Sequence, residues 1–192
     1  MTKDSYYSRD ELENIGFKKI GCNVLISKKT SIYSPERISI GNNVRVDDFC
    51  FLSGNIELGN YIHISAGVYI IGGEAGVIIK NYASVSSQCT IYAATDDYSG
   101  QYMSNPTLPP EYRNVINEQV ILGEHVIIGT HSVILPGIEI GRGAAVGAMS
   151  ILRSDVKPFI IIAGNPARKI GERSRDLLKL QSRLEQEAGP GQ

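Results

Sequence analysis

The sequence contains no tryptophan, only three histidines and three cysteines, and almost no net charge. Its 19 basic and 20 acidic residues form neither a basic stripe nor a platform of aromatics that would suit a nucleic acid. No apolar run reaches the roughly 20 residues of a membrane span, and none has the form of a signal peptide. We therefore expect a cytoplasmic protein that neither binds nucleic acid nor spans a membrane.

The stretch from Ile121 to Leu152 repeats with a period of six. Every sixth residue is aliphatic, and four of these six residues precede a glycine. Neither the two-residue alternation of a strand nor the helical period of about 3.6 explains this spacing. A parallel β-helix does, because each hexad supplies one short strand and one corner, and three hexads make a triangular coil. The repeated residues are Leu122, Ile128, Ile134, Ile140, Val146 and Leu152.

The same aliphatic ladder can be followed back to Ile20 in groups of three. Successive groups are separated by 8, 6, 9, 31 and 6 residues, so every insertion falls at the corner after the third strand of a coil. We predict an all-β parallel β-helix of about six coils over residues 20–170, with a loop at 92–121 inserted at that corner. Loops on one face of a solenoid commonly bind ligands. The earlier ladder residues are Ile20, Ile26, Ile32, Ile40, Val46, Leu52, Leu58, Ile64, Ile70, Ile79, Val85 and Ile91.

The two ends of the chain differ from the ladder. Residues 1–19 form an N-terminal cap, in which Ser8 and Glu11 predict a capping box and a helix over about 9–14 that plugs the first coil. After Leu152 the ladder stops, and residues 160–168 indicate a final strand and a turn. Residues 171–188 predict a helix that covers the last coil or mediates oligomer contacts, and 189–192 form a tail.

The cysteines Cys22, Cys50 and Cys89 have neither zinc-ligand spacing nor an even count. Cys50 and Cys89 occupy inward positions two coils apart, which is roughly 9 to 10 Å at strand spacing. That distance is too great for a disulfide. We expect all three to be free packing residues.

The ladder, together with VILPGIEIG and AGNPARKI after it, resembles the hexapeptide-repeat acyltransferases. The likeness covers roughly residues 20–170 and is greatest to sugar O-acetyltransferases of the maltose and galactoside type, and to those that modify bacterial O-antigen and capsule. It implies a left-handed β-helix, the known exception to right-handed crossovers. It also implies a homotrimer with active sites between subunits and direct transfer from acetyl-CoA, without a covalent enzyme intermediate.

The chain departs from this family at two catalytic positions. The family's histidine at the start of the large loop is matched here by Asp96, and its asparagine one coil earlier is matched by Ser65. A carboxylate is a poor base for a hydroxyl unless burial raises its pKa. The usual catalytic residues are therefore replaced, and another base is needed.

His63 is the candidate for that base. It lies one residue before the inward Ile64, so its side chain points outward on the same face as Ser65. We hypothesise that His63 is the general base and that Asp96, from the same or a neighbouring chain, orients it or binds the acceptor. The alternatives are a surface histidine without a role and a residue that contacts substrate.

The loop that follows Asp96 suits a carbohydrate. Carboxylates accept hydrogen bonds from sugar hydroxyls, and tyrosines offer apolar faces with a polar tip. We expect Asp97, Tyr98 and Ser65 to bind substrate, although the two acidic residues could equally be solvated loop charges. A carboxylate pair also suits an amino sugar, whose ammonium loses a proton more readily than a hydroxyl does.

No metal site is expected. His125 and His131 lie at successive corners of one coil, on different sides of the triangle, and His63 lies two coils away. Bonds of about 2.0 to 2.1 Å to one ion cannot span these separations within one chain. His131 is interpreted as an exposed corner residue or as part of the cofactor groove.

The resemblance also implies where coenzyme A lies. The family threads the pantetheine arm along the later coils and meets the nucleotide phosphates with basic residues near the C-terminal end. For the glycines, corner geometry is an alternative explanation, whereas the two arginines can bind phosphate in a forked geometry. The matching positions are Gly129, Thr130, Ser132, Gly147, Ala148, Arg153 and Arg168.

The sequence thus predicts an enzyme that moves an acetyl group from acetyl-CoA to a hydroxyl of a sugar or of a bacterial surface glycan precursor. Two alternatives remain. One is an N-acetyltransferase that acts on a nucleotide-linked amino sugar. The other is a catalytically inactive β-helix that serves as a scaffold subunit.

Overall fold

The aliphatic ladder forms the interior of the molecule in the computed structural model, which describes residues 5–188. Each ladder residue pairs with its counterpart one coil further on, from Ile20 opposite Ile40 to Ile134 opposite Leu152. All ladder residues from Ile40 onward are buried. The structure therefore confirms a left-handed parallel β-helix, because a strict period of six leaves one inward aliphatic side chain on each face of each coil.

Within the described residues, two helices flank twenty strands, and short 3₁₀ turns occur at Pro35–Arg37 and Pro110–Tyr112. In chain order the elements are α1 (Arg9–Ile15), β1 (Lys19–Ile20), β2 (Leu25–Ile26), β3 (Ser31–Tyr33), β4 (Ile38–Ile40), β5 (Val44–Val46), β6 (Phe51–Leu58), β7 (Ile62–Ile64), β8 (Tyr69–Ile79), β9 (Ser84–Val85), β10 (Thr90–Tyr92), β11 (Ala94–Asp96), β12 (Val115–Asn117), β13 (Val120–Leu122), β14 (Ile127–Ile128), β15 (Val133–Ile134), β16 (Glu139–Ile140), β17 (Ala145–Val146), β18 (Ile151–Leu152), β19 (Ile160–Ala163), β20 (Arg168–Glu172) and α2 (Leu177–Ala188).

The three faces of the prism are formed by two sheets. The second face is an eight-stranded sheet in the order β2-β5-β7-β9-β14-β17-β19-β20. The first and third faces belong to one ten-stranded sheet, because β6 and β8 continue around the third corner. Glycines permit this bend: Gly54 has a φ of +80°, and a side chain on Gly72 would collide with the backbone oxygen of Asn55.

The first and second corners are sharp turns in which the third residue after the ladder position adopts a left-handed conformation, except after Ile26. His125 and His131 have φ values of 59° and 58°, and Tyr61 and Tyr82 have 57° and 62°. Stacking places these corner residues above one another. Tyr82 lies between Tyr61 and His125, with ring centroids 5.1 and 4.9 Å apart.

A column of asparagines supports the first corner. The side-chain oxygen of Asn60 accepts a hydrogen bond from the backbone N–H of Asn42 at 2.7 Å, and that of Asn81 accepts from the N–H of Asn60 at 2.8 Å. Asn42 does the same for Cys22 at 2.8 Å. Backbone donors that the turn would leave without partners are thus satisfied from the next coil.

The N-terminal helix has the predicted cap. The side chain of Ser8 accepts from the N–H of Glu11 at 3.2 Å, and the Glu11 carboxylate accepts from the N–H of Ser8 at 2.6 Å. The helix ends at Gly16, which has a φ of 86°. Its Leu12 is 2% exposed and belongs to the core, so α1 closes the first coil.

The C-terminal region differs from the prediction in two ways. The ladder does not stop at Leu152, because Val156 bridges to Ile140 and Ile162 pairs with Val146, which adds two faces of a seventh coil. The step from Leu152 to Val156 is four residues, and this break in the period hid the continuation. Helix α2 begins at Leu177, not near 171, because Arg168–Glu172 pairs antiparallel with β19 as β20. The predicted tail at 189–192 lies outside the described residues.

Helix α2 lies along the first corner, where its polar side chains contact the stacked rings. Gln181 Oε1 lies 2.6 Å from Nε2 of His125, and the Tyr82 hydroxyl donates to Glu185 at 3.1 Å. Just before the helix, Arg173 donates to the carbonyl oxygen of His125 at 2.7 Å. The open edge of the second face is covered by β20, so the role predicted for the helix is taken by a strand.

Candidate active site

The loop between 92 and 121 contains a short β-ribbon that rises from the third corner. Strands β11 and β12 pair antiparallel, with Asp96 opposite Val115. The ribbon is fixed at its base, where the N–H of Glu118 donates to the carbonyl oxygen of Ala93 at 3.0 Å and that of Ala93 donates to Ile71 at 2.8 Å. Asp96 therefore stands on an ordered strand and not on a structureless loop.

The two adjacent carboxylates of this ribbon have different surroundings. Asp97 Oδ1 accepts from the N–H of Ser99 at 2.6 Å, and its Oδ2 accepts from the side-chain amide of Asn114 at 3.0 Å. The hydrogen bond from Ser99 and then that from Asn114 lower the pKa of Asp97. Asp96 is half-buried and has no side-chain partner among the described residues. Of these two carboxylates, only that of Asp96 has no hydrogen bond within the described residues.

Tyr98 lies at the exposed end of this region. Its side chain is 92% exposed, and the described part of the chain gives it no hydrogen bond. The structure thus separates the three loop residues predicted from the sequence. Asp97 makes hydrogen bonds within the loop, the side chain of Tyr98 faces solvent, and that of Asp96 has no hydrogen-bond partner among the described residues.

His63 points outward from the second face, as its position beside Ile64 predicts. Its Nε2 lies 2.8 Å from Oδ2 of Asp47, whose other oxygen accepts from Arg45 at 2.7 Å. Asp47 is 7% exposed. Among the described residues of this chain, the carboxylate that orients His63 is therefore Asp47 and not Asp96.

Asp47 was missed by the sequence analysis although a signal was present. It follows the ladder residue Val46, and Ser65 and Ser86 stand at the same position after Ile64 and Val85. Stacked coils bring equivalent positions of the repeat together. A search for polar residues at that position would have found the partner of His63.

A groove of about 530 Å³ lies at the second corner, beside the stacked positions Asp47, Ser65 and Ser86. Phe49 and Tyr69 supply its exposed aromatic walls, with 63% and 47% of their surfaces exposed. The N–H of His131 donates to the carbonyl oxygen of Ser87 at 3.1 Å. His131 is exposed and lines this groove, so both of its interpretations stay open. The remaining lining residues are Ala66, Gly67, Ser87, Gln88 and Thr90.

The predicted cofactor glycines are required by the fold itself. A side chain on Gly129 would collide with the backbone nitrogen of Ala148, and one on Gly147 would lie 2.8 Å from the Cβ of Ala163. Thr130 uses its hydroxyl to donate to the carbonyl oxygen of Ser87 at 2.6 Å. These contacts support the corner-geometry explanation of the glycines, while Ala148 remains exposed beside them.

Ser132 cannot take the cofactor-binding role that the sequence analysis gave it. It is fully buried, its hydroxyl donates to the carbonyl oxygen of Gly147 at 3.1 Å, and it accepts from the N–H of Ser150 at 3.2 Å. The reason is its place two residues before Ile134, which is an inward position of the hexad. The assignment of Ser132 to the cofactor site is corrected.

Arg153 and Arg168, which are distant in sequence, line one pocket of about 530 Å³ near the C-terminal end of the prism. Lys157 and Lys169 add two more positive charges, Asp155 adds one negative charge, and Ser154 and apolar side chains form the remaining wall. Cations around an apolar floor suit a group that combines phosphates with an aromatic base. The apolar residues are Leu152, Val156, Ile160, Ile162 and Ala167.

The three cysteines are free thiols. Burial raises the pKa of the Cys50 thiol to about 11 and also raises that of Cys89. Among residues 5–188, no group of three histidine, cysteine or acidic side chains could hold a metal ion. In the same residues, no helix is long and apolar enough to cross a bilayer.

Comparison with known proteins gives the class. The chain is 46% identical over 181 residues to dTDP-4-amino-4,6-dideoxy-D-glucose acyltransferase of Escherichia coli, covering 93% of this chain and 94% of that protein. It is 32% identical over 179 residues to the putative lipopolysaccharide biosynthesis O-acetyl transferase WbbJ of Escherichia coli K12, covering 88% and 85%. The chain therefore belongs to the hexapeptide-repeat acyltransferases. Comparison with protein-family profiles gave no match.

Solved structures point to a narrower group. AntD, an N-acyltransferase from Bacillus cereus crystallised with dTDP and 3-hydroxybutyryl-CoA, superposes with a TM-score of 0.94 at 49% identity, covering 96% of this chain and 98% of that chain. Other crystals of AntD contain dTDP-4-amino-4,6-dideoxyglucose and coenzyme A. Several carry a substitution at a serine or at an aspartate ten residues after it. The enzymatic class predicted from the sequence is confirmed.

Proposed function

We propose that this protein transfers an acyl group from an acyl-CoA to the amino group of a dTDP-linked 4-amino-4,6-dideoxy sugar. The observation that carries the proposal is identity of 46% and 49%, over more than nine-tenths of the chain, to two proteins with this type of substrate. The O-acetyltransferase WbbJ is less similar. These identities support the amino-sugar alternative better than the hydroxyl acceptor that the sequence analysis favoured.

We infer the counterparts of the serine and aspartate substituted in AntD from their separation in the sequence. Two pairs in this chain have the same ten-residue separation, Ser86 with Asp96 and Ser87 with Asp97. Asp97 is held by Ser99 and Asn114 within the loop. Asp96 has no such partner among the described residues, which favours the first pair.

In this proposal Asp96 accepts the proton that the amine loses. The nitrogen lone pair attacks the thioester carbonyl carbon, the C–N bond forms, and the C–S bond breaks to release coenzyme A. The proton passes from nitrogen to the Asp96 carboxylate and then to the departing sulfur. The Ser86 hydroxyl can donate a hydrogen bond to the thioester oxygen as negative charge develops there. A neutral amine is a better nucleophile than an alcohol, so a carboxylate suffices where O-acetyl transfer needs a histidine.

Coenzyme A is proposed to extend from the second-corner groove towards the C-terminal pocket. Arg153 and Arg168 would bind its phosphates, since both guanidinium groups are exposed and line the same pocket. Gly129, Thr130, Gly147 and Ala148 would form the wall of the pantetheine path. We further propose a cytoplasmic homotrimer, in which Asp96 of one subunit meets the groove of a neighbour.

The experiment is release of free thiol by the purified full-length protein, followed for each acceptor with acetyl-CoA and 3-hydroxybutyryl-CoA. The acceptors are dTDP-4-amino-4,6-dideoxyglucose, the matched nucleotide sugar with a 4-hydroxyl, and the free amino sugar. We expect turnover with the nucleotide amine alone and a product with an amide by mass spectrometry. Turnover of the hydroxyl sugar at an equal rate would contradict the proposal, and inactivity with all three acceptors would favour a scaffold.

A further inference from the structure

Asp97 closes the tip of the ribbon that carries Asp96. Three hydrogen bonds converge on this residue: its N–H donates to the carbonyl oxygen of Asn114 at 3.1 Å, and its carboxylate accepts from Ser99 and from the side chain of Asn114. Asp97 and Asn114 come directly after β11 and directly before β12. The side-chain bond therefore continues the ribbon by one rung beyond Asp96.

The ribbon has few other means of staying closed at this end. Its paired segments contain three residues each, and β12 is exposed along its length. A short isolated two-stranded ribbon is marginally stable in water. The base is secured by Ala93 and Glu118, and by Asn117, whose side-chain oxygen accepts from the N–H of Glu74 at 3.2 Å. Asp96 is therefore held in place by contacts with the prism at the base of the ribbon and by the hydrogen bonds of Asp97 at its tip.

We propose that Asp97 is a positioning residue, which holds the carboxylate of Asp96 in place for the reaction and does not itself bind substrate. The inference rests on the proposed function, since it assumes that Asp96 meets the amine. It replaces the substrate-binding role expected for Asp97 from the sequence. Both carboxylate oxygens of Asp97 already accept hydrogen bonds from the loop, so Ser99 and Asn114 fix the orientation of this carboxylate.

The ionisation of Asp97 agrees with this role. Hydrogen bonds from Ser99 and then Asn114 hold its pKa below the ordinary value for aspartate, so it is charged throughout the neutral range. Both partners are donors, and a carboxylate accepts from both at once. A displacement of a reacting group by about 1 Å can cost about a hundredfold in rate. Loosening the tip of the ribbon should therefore lower kcat while leaving the binding of both substrates nearly unchanged.

The test compares Asp97→Ala, Asn114→Ala and Asp97→Asn with the control Asn105→Ala. Asn105 makes the same kind of local turn in this loop, accepting from the N–H of Thr107 at 3.0 Å, but it has no hydrogen bond to the ribbon strands. We expect Asp97→Ala and Asn114→Ala each to lower kcat by about tenfold to a hundredfold. The double variant should be no worse than Asp97→Ala, because the side-chain hydrogen bond that Asn114→Ala removes is already lost in Asp97→Ala. Asn105→Ala should stay within about twofold of the parent.

Asp97→Asn provides the conservative rescue. Its oxygen can still accept from Ser99, and its amide can donate to the oxygen of Asn114 once that amide has turned, so most of kcat should return. A residue that binds the sugar ammonium directly would behave differently, because losing its charge would raise KM for the sugar in Asp97→Asn as well. A rise in KM with unchanged kcat would overturn the inference.

Hydrogen–deuterium exchange separates this inference from the proposed function. Peptides covering 94–97 and 114–117 should exchange faster in Asp97→Ala than in the parent protein, whereas Asn105→Ala should leave them unchanged. An inactive parent protein would contradict the proposed function, but the exchange result would still show whether Asp97 keeps the tip of the ribbon closed. Unchanged exchange in Asp97→Ala would overturn the positioning role whatever the activity.

Discussion

Asp47 Oδ2 lies 2.8 Å from Nε2 of His63, and the two residues are on neighbouring coils of the second face. The bond fixes the ring of His63 through one nitrogen and leaves the other facing away from Asp47. Arg45 holds the second oxygen of the same carboxylate at 2.7 Å. His63 is thus part of a charged cluster that is complete without Asp96.

The first prediction concerns whether Asp96 or His63 accepts the proton that the amine loses. Asp96→Asn should lower kcat/KM for the amino sugar by about a hundredfold or more, because it removes the proton acceptor. His63→Asn should lower it by less than about tenfold, because it leaves the proposed proton acceptor, Asp96, in place. The measurement is steady-state thiol release with both substrates varied. Equal losses in the two variants would restore His63 as the general base.

The second prediction concerns the basic pocket at the C-terminal end. Arg153→Ala and Arg168→Ala should each raise KM for acetyl-CoA by about fivefold to tenfold, because each removes a cation from a pocket suited to phosphates. Their KM for the sugar should be unchanged. Repeating the titration with acetyl-pantetheine, which lacks the nucleotide, is the check: parent and variants should then have the same KM. A remaining difference would show that the arginines act elsewhere.

The third prediction uses the burial of the thiols. Cys22 is exposed, whereas Cys50 and Cys89 are buried and have raised pKa values. A thiol reagent at pH 8 should therefore modify one cysteine per native chain and three after denaturation. Mass spectrometry of the digested protein identifies the modified residue. Rapid native modification of Cys50 or Cys89 would mean that the coils open under these conditions.

The fourth prediction tests the asparagine column. Asn60→Ala removes the side-chain oxygen that accepts from the N–H of Asn42 at 2.7 Å. We expect the free energy of unfolding to fall by about 1 to 3 kcal/mol. Asn105→Ala, which affects an exposed turn, should change stability by less than about 0.5 kcal/mol. Denaturant unfolding of the two variants gives the comparison. Equal free energies of unfolding for the two variants would show that water satisfies the N–H of Asn42 as well as Asn60 does.

The sequence was enough to predict the fold because the determinant is local. One aliphatic residue in every six must point inward, and the register between coils follows from that alone, as in the pairing of Ile64 with Val85. Prediction was wrong where the period breaks, at the step of four from Leu152 to Val156. It was also wrong for Ser132, whose inward position in the hexad should have excluded contact with a cofactor.

The candidate site was only partly predictable. The likeness to a family assigned the catalytic position at the start of the large loop to Asp96, but it did not give the difference in surroundings between Asp96 and Asp97. That difference lies in hydrogen bonds to Ser99 and Asn114, which depend on how the chain returns from a long excursion. No local pattern encodes such a return. The pairing of His63 with Asp47 is non-local as well, but stacked repeats made it accessible in principle.

The insertions at the third corner have a consequence for how such a protein can change. Every ladder residue is fixed by its neighbours above and below, so a length change within a face would shift all later side chains by one or more positions. The third corner tolerates added residues, since the chain re-enters the ladder in register at Leu122 after the long excursion. Changes in the third-corner loop can therefore accumulate without altering the register of the ladder.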